Sequence, residues 1–332
     1  MTQQPIRWGI LGAGNIAHKL ADAVRYDADS QMVACASRTP GKARSFAENY
    51  DIDAYDSYEA LLERDDIDVV YIATTHNFHH DNGRLALAYN KPILMEKPFT
   101  VNASEADDLI SEARAKGVFL MEAIWTRFLP AQRALRQQLR EGIVGEVKHL
   151  TASFGGFAPP HYAPRIKDPE LAGGVTLDMG IYPISLLCYL VGELPNEIES
   201  MCRFSDRGVD EIASYLFRFP SGATAVISTS FNLKMKQEVM VYGSEGYIEY
   251  PNFQSGPEFI HHRHDGTNEI LDSTSHPYMH EENGFVYEVA EVARCLRAGE
   301  TESPVIPLDE SRAIMAVMDK MRADWGLKYP FE

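Results

Sequence analysis

Three stretches of this sequence combine residue types and spacings that can do chemistry. The first is Gly12-Ala13-Gly14-Asn15-Ile16-Ala17, which follows the apolar run Ile6–Leu11. Gly12 allows a tight turn, Gly14 leaves bare backbone for a pyrophosphate to approach, and Ala17 lets a helix pack closely on a strand. The helix start adds N–H groups and the positive end of its dipole. A glycine turn can be only a turn, but this one sits between a strand and a helix inside a strand–helix–strand unit. The second stretch is Glu96-Lys97-Pro98, directly after an apolar strand pattern at Pro92–Met95. A lysine at the carboxyl edge of a sheet can donate to a substrate oxygen and lower the pKa of a neighbouring acid. Pro98 restricts the backbone just after it. The third is the pair Asp178 and Tyr182, four residues apart in the helical pattern Leu177–Leu190 and so on one face of it. A phenol titrates near pH ~10 and moves toward neutrality beside an ammonium group, which makes it a usable acid or base. The competing readings are a surface lysine, an acidic first-turn residue favoured by the helix dipole, and a core tyrosine with a satisfied hydroxyl.

Together these residues meet the needs of hydride transfer between an alcohol carbon and a nicotinamide: close positioning, a proton relay and stabilisation of charge on the substrate oxygen. The second strand, Gln31–Ala36, ends in Ser37-Arg38-Thr39. Sites for NAD usually carry Asp or Glu here to accept from the ribose 2′-OH, whereas Arg38 can pair with a 2′-phosphate while Ser37 and Thr39 donate to it. Lys42 can add charge. NADP is therefore favoured, with NAD as the alternative. Thr74, Thr75, Asn77 and His79 follow the strand Asp68–Ala73, where a loop passes the cofactor's ribose and pyrophosphate. Neither His76, His79 and His80 nor His261, His262 and His264 has carboxylate or cysteine partners at ligand spacing, so no metal is expected. Trp125 and Arg127 can line a substrate pocket or simply pack between domains. His161, Tyr162 and Arg165, in the loop Phe157–Asp168, can border the same pocket.

The elements that must position these groups change character midway. Up to about Trp125 strands and helices alternate, with strands at Ile6–Leu11, Gln31–Ala36, Asp68–Ala73, Pro92–Met95 and Val118–Met121. A helix capped by Ser104 runs to Lys116, where Gly117 ends it. Such alternation with short links implies an α/β, doubly wound parallel sheet of the Rossmann kind. Beyond it, strands follow one another: Val147–Phe154, Glu197–Phe204, Ala213–Phe219, Thr224–Ser230, Glu238–Tyr242 and Tyr247–Tyr250, separated by turn signals at Pro220–Gly222 and Gly243–Gly246. With helices at Pro130–Glu141, Leu177–Leu190, Gly284–Ala298 and Leu308–Ala323, this half reads as an α+β domain with a large, mostly antiparallel open sheet. The expected domains are residues 1–124, binding the dinucleotide, and 125–332, binding the substrate and a second subunit.

A chain of 332 residues, 45% hydrophobic and 24% charged, suits two globular domains. A net charge of −17 argues against nucleic acid as a general partner. The longest apolar runs, such as Val69–Thr74, are strand-sized, so no membrane span of ~18–20 residues is expected. Cys35, Cys188, Cys202 and Cys295 form no CxxC pair, and MTQQPIRWGILGAG lacks the pattern of a secretory signal; both fit a reduced, cytoplasmic protein.

The glycine turn, Glu96-Lys97-Pro98 and the stretch Gly173–Tyr182 resemble the Gfo/Idh/MocA oxidoreductase family over nearly the whole chain. A closer likeness, to the dimeric dihydrodiol dehydrogenases that also oxidise D-xylose with NADP, rests on Gly117–Pro130, Asp178–Tyr182 and Glu302–Pro307. Many relatives carry His where this chain has Tyr182; the dihydrodiol dehydrogenase-like members carry Tyr. The resemblance implies a Rossmann domain, an open-sheet domain that lines the substrate pocket and forms a homodimer interface, and no metal. It also implies that Lys97 handles the substrate proton and that Thr75, Asn77 and His79 neighbour the cofactor. The resulting expectation is hydride transfer between NADP(H) and a sugar, vicinal diol or related carbonyl, with Lys97 and Tyr182 assisting proton transfer. The alternatives are a glycosidase holding NAD tightly, which Arg38 disfavours, and a non-catalytic cofactor-binding regulator, which the presence of Lys97, Asp178 and Tyr182 disfavours.

Overall fold

A computed structural model describes residues 4–267 and 269–332. Along the chain run β1 (Ile6–Leu11), α1 (Asn15–Tyr26), β2 (Ser30–Ala36), α2 (Lys42–Glu48), β3 (Asp53–Tyr55), α3 (Tyr58–Leu62), β4 (Val69–Ile72), α4 (His79–Ala88), β5 (Ile93–Glu96), α5 (Ala103–Lys116) and β6 (Leu120–Ala123). There follow α6 (Pro130–Arg140), β7 (Val147–Gly155), α7 (Ala163–Ile166), α8 (Ile181–Val191), β8 (Glu197–Phe204), β9 (Asp210–Arg218), β10 (Thr224–Ser230), β11 (Glu238–Gly243), β12 (Gly246–Pro251), β13 (Glu258–Arg263), β14 (Asp272–Pro277), α9 (Val286–Ala298) and α10 (Leu308–Trp325). Two compact units result. One holds the residues up to Trp125 together with Glu281–Met315; the other holds Thr126–His280 and Ala316–Glu332.

The first unit is built on a six-stranded parallel sheet of order β3-β2-β1-β4-β5-β6. Every residue of β4, β5 and β6 is buried, as strands covered on both faces require. The chain reverses its direction across the sheet between β1 and β4, and the crevice at such a switch point, outside the carboxyl ends of the strands, is where doubly wound sheets take ligands. One strand more than the sequence suggests is present. β3 has three residues, lies at the sheet edge and is only partly covered, so it carries no apolar run to reveal it. The cap of α5 also differs: Asn102, not Ser104, accepts the Glu105 N–H at 3.0 Å.

The segment 281–315 joins this unit, whereas the sequence suggests an unbroken second domain from residue 125. α9 packs against α1 and buries Val289, Val292 and Ala293. Beyond it, Thr301 accepts the Leu120 N–H at 3.0 Å, while Arg114 pairs with Glu302 and Asp309, and Arg312 with Asp107. Those ties link residues about two hundred positions apart, a distance over which local patterning carries no information.

The second unit centres on an eight-stranded sheet of order β14-β13-β12-β11-β7-β10-β9-β8. Only β7 and β10 pair in parallel; all other neighbours are antiparallel. β13 and β14 go beyond the six strands legible in sequence. β14, Asp-Ser-Thr-Ser-His-Pro, is an exposed edge with no apolar face, and His261 and His262 lie on β13 beside it. α8 is apolar on all sides and almost wholly buried against β7 and β10. The stretch Pro169–Val191, 23 residues long, is long and apolar enough to cross a membrane by composition alone, contrary to the expectation from single apolar runs. Its most apolar 18-residue window is 78% buried inside the protein, as a core helix is.

Candidate active site

The turn after β1 has the geometry its glycines imply. Gly12 has φ of +101°, and its N–H donates to Ala36 O at 2.9 Å. A methyl group there would lie 2.8 Å from the Ala73 carbonyl oxygen, so backbone strain and backbone contact both require glycine. At Gly14 a methyl would meet nothing closer than 4.0 Å, which leaves this side of the turn bare. Gly14 caps α1 without any side-chain bond to its first turn, and Ala17 is fully buried against the sheet. Free helix N–H groups, an uncovered backbone and close helix packing suit a pyrophosphate, with Asn15 and Ile16 supplying the first-turn amides.

At the end of β2, Ser37 is buried and its hydroxyl accepts the Thr39 N–H at 3.2 Å. Arg38 is exposed but not loose. Its Nη2 donates to Asn82 Oδ1 at 2.7 Å, and its guanidinium lies 4.6 Å from the centre of the Tyr58 ring and 5.9 Å from that of Phe78. Asn82 is buried and donates in turn to Thr74 Oγ1 at 3.2 Å. Sequence reasoning missed Asn82, because a polar residue in the first turns of a helix is ordinary and only the tertiary fold brings α4 to β2.

The loop after β4 is internally tied, with the Thr75 hydroxyl donating to Asn77 Oδ1 at 2.7 Å. His79 lies behind that loop. It is fully buried, with Nδ1 2.8 Å from Pro98 O and Nε2 3.2 Å from Thr74 O. Burial, with a smaller contribution from Lys97, lowers its pKa to about 4, and the carbonyl contacts only partly offset this. A neutral ring has one N–H to give, so it donates to one carbonyl and faces the other unprotonated. Its visible role is to tie the end of β4 to the segment after β5. His76 is also buried and meets His79 edge-on at 5.8 Å.

That segment carries the lysine. Glu96 is buried and accepts from the Tyr71 hydroxyl and, at 3.1 Å, from the Lys97 N–H. The Lys97–Pro98 peptide is cis. Phe99 N–H donates to Glu122 Oε1 at 2.9 Å, so the backbone on either side of Lys97 is held by buried carboxylates from β5 and β6. Lys97 itself is half-buried. Glu288 of α9 is fully buried; desolvation first, and the Glu96 charge second, push its carboxyl well above the usual range. Glu288 was missed, although it falls on the helix face of Phe285, Val289 and Val292, where an acid is anomalous. Trp125 stacks on Phe285 at 5.3 Å in the same unit.

The second unit carries Asp178 and Tyr182. Asp178 lies in a π turn, Thr176–Gly180, that leads into α8, and such turns often occur at functional sites. Its carboxylate pairs with Arg165 at 2.8 Å. Beneath the turn, the Thr176 N–H donates to Asp210 at 2.8 Å, and the Thr176 hydroxyl meets Asp210 and, at 2.8 Å, Tyr215. Tyr182 is buried at the start of α8 with Phe154 edge-on at 6.0 Å. His161 is exposed, its ring 4.7 Å from that of Tyr162. Arg127, expected either to line a pocket or to pack between domains, makes packing contacts within the second unit. It is 1% exposed, donates to Ser185 O at 3.2 Å and Ser185 Oγ at 2.6 Å, and lies 4.1 Å over the Tyr189 ring, so it braces α8. Among the described residues no group of three or more His, Cys, Asp or Glu side chains is arranged to hold a metal ion.

Comparison with known proteins extends this geometry. Residues 6–124 match an oxidoreductase family with an NAD-binding Rossmann fold, and residues 132–249 match the GFO/IDH/MocA C-terminal domain. The chain is 35% identical to the trans-1,2-dihydrobenzene-1,2-diol dehydrogenase of Mus musculus, covering 98% of each chain. It is 34% identical to that of Homo sapiens, again over 98% of each. A 3-ketoreductase from Actinomadura kijaniata, solved in complex with NADP and TDP-benzene, superposes with a TM-score of 0.86 at 27% identity, over 96% of this chain and 98% of that one. The Rossmann order of the first sheet, the glycine turn, the Glu96-Lys97-Pro98 segment and these full-length matches lead to one assignment. The chain belongs to the Gfo/Idh/MocA family of NAD(P)-dependent oxidoreductases, enzymes that act on alcohol and sugar substrates.

Proposed function

We propose that this protein is an NADP-dependent dehydrogenase or reductase acting on a vicinal diol, sugar or related carbonyl. The observation that carries the reading lies in one sheet: the Gly12 turn follows β1 and Lys97 follows β5, with only β4 between those strands. At the usual strand spacing, Lys97 is then roughly 10 Å across the sheet edge from the turn suited to the pyrophosphate. The bound cofactor supplies hydride exchange at its nicotinamide. Lys97 donates a hydrogen bond to the substrate oxygen and favours its anionic form; Tyr182 gives or takes the proton at that oxygen. Asp178, oriented by Arg165, holds a substrate hydroxyl. Arg38 supports NADP over NAD, since a guanidinium suits a 2′-phosphate and an acid does not. The named activity of the mouse and human relatives supports a diol as one substrate class, and the named activity of the Actinomadura enzyme supports a ketone as its oxidised counterpart.

The test is turnover of a panel of trans-diols, pentoses and dicarbonyls with NADP(H), in the native protein and in Lys97→Ala and Tyr182→Phe. Each variant is expected to lose roughly 10²–10⁴-fold in kcat while cofactor titration by protein fluorescence stays within a few-fold of native. Near-native kcat in either variant would remove that residue from the proton relay. No turnover of the panel with either cofactor would remove the substrate assignment.

A further inference from the structure

Asn82 lies in α4, outside every motif that marks the cofactor site, yet among the described residues it makes the only side-chain hydrogen bond in which the Arg38 guanidinium takes part. An exposed arginine on a flexible stem is ordinarily a poor ligand for a single phosphate, because ordering it costs rotamer freedom. Here that ordering is already done. Tyr58 supplies a ring face below the guanidinium, Phe78 a second ring at its edge, and Asn82 Oδ1 fixes its rotation through Nη2. The amide cannot turn over without loss, since its Nδ2 donates to Thr74 Oγ1 on the loop after β4. Nε and Nη1 remain for the oxygens of a ligand. Asn also orients the arginine without cancelling its charge. A carboxylate of the same shape would form a bidentate ion pair and neutralise it. The nearby carboxylate of Glu59 is itself engaged by the Ser57 hydroxyl at 2.7 Å.

We infer that Asn82 is a positioning residue for cofactor choice: it holds Arg38 in place, still charged, for the 2′-phosphate that distinguishes NADP from NAD. The inference rests on the NADP reading proposed above. The competing role is a structural tie between β2 and α4 with no bearing on the phosphate.

The experiment is fluorescence titration of the full-length protein with NADPH and NADH, in the native form and in Asn82→Asp, Asn82→Ala and Arg38→Ala. Asn82→Asp preserves shape and packing, so it answers even if the alanine variant folds poorly. The expected result is about tenfold or greater weakening for NADPH in both Asn82 variants, with NADH affinity changed by less than about twofold. Adenosine 2′,5′-bisphosphate should lose affinity in parallel, whereas adenosine 5′-phosphate should not. If NADPH and NADH weaken together, or neither changes, Asn82 is only a structural tie and the inference fails. The Arg38→Ala arm separates that failure from failure of its premise. A native preference for NADPH that Arg38→Ala abolishes while the Asn82 variants keep it would sink the Asn82 role alone. A cofactor ratio that Arg38→Ala leaves unchanged would sink the NADP reading and the inference with it.

Discussion

His79 has no access to water, and each of its ring nitrogens faces a backbone carbonyl oxygen, that of Pro98 or that of Thr74. The cost of protonating it inside the fold has a measurable consequence. Its pKa is about 4 in the folded protein against 6.5 for a free imidazole. Between those values the unfolded chain binds the proton and the folded chain does not, so stability rises with pH across the window. The contribution is complete above about pH 6.5 and is lost as pH falls toward about 4, a total of roughly 3 kcal/mol. Urea unfolding of the native protein should show roughly 2 kcal/mol more loss between about pH 7 and about pH 5 than unfolding of His79→Asn. Equal pH dependence in the two proteins would mean that the ring is not buried neutral. At this scale, residue type and spacing single out Gly12, Gly14, Arg38, Lys97, Asp178 and Tyr182 as candidates. They do not reveal that His79 is fully buried between the carbonyl oxygens of Pro98 and Thr74.

The π turn before α8 shows what a whole element can demand of its neighbours. Its first amide is anchored on the buried carboxylate of Asp210, and the approach to it runs through Gly174 at φ of +129°. A methyl group on Gly174 would lie 2.1 Å from Asp210 Oδ1 in a backbone conformation that side chains avoid. Gly174→Ala is therefore expected to cost roughly 1–3 kcal/mol, read by urea unfolding. It should also lower kcat more than it changes cofactor affinity, since the turn carries Asp178 and the cofactor turn lies in the other unit. Native stability in this variant would contradict the close packing of turn and carboxylate. The same contrast governs which elements were readable. β4, β5 and β6 stand out as short apolar runs because both faces are covered. β3 and β14 do not, because edge strands are held by backbone pairing that their side chains do not advertise.

The second unit leaves one sheet face only partly covered. Met201, Leu216, Val226 and Tyr242 are all exposed there, and the register sets Val226 beside Leu216 and Tyr242 beside His149 and Tyr247. Several exposed apolar side chains on one face of an open sheet are the kind of surface that a second copy covers through a two-fold axis. We expect a homodimer through this face. Light scattering should give the mass of two chains for the native protein and of one chain for Leu216→Lys with Val226→Glu. A native protein with the mass of a single chain, or a double variant that stays dimeric, would remove the assignment.

By itself the sequence determined the class of chemistry and the two sheet types. A phosphate-binding turn, a strand-end lysine and an i,i+4 acid–phenol pair are local devices whose spacing along the chain is their geometry. Only the tertiary structure decided the membership of segment 281–315, the burial of Arg127 under α8, the burial of Glu288 within reach of the Glu96 charge, and the bond from Asn82 to Arg38. Each depends on side chains brought together from elements far apart in sequence. Contacts of that kind are chosen by packing and by the need to satisfy buried polar groups, neither of which leaves a periodic mark on the chain.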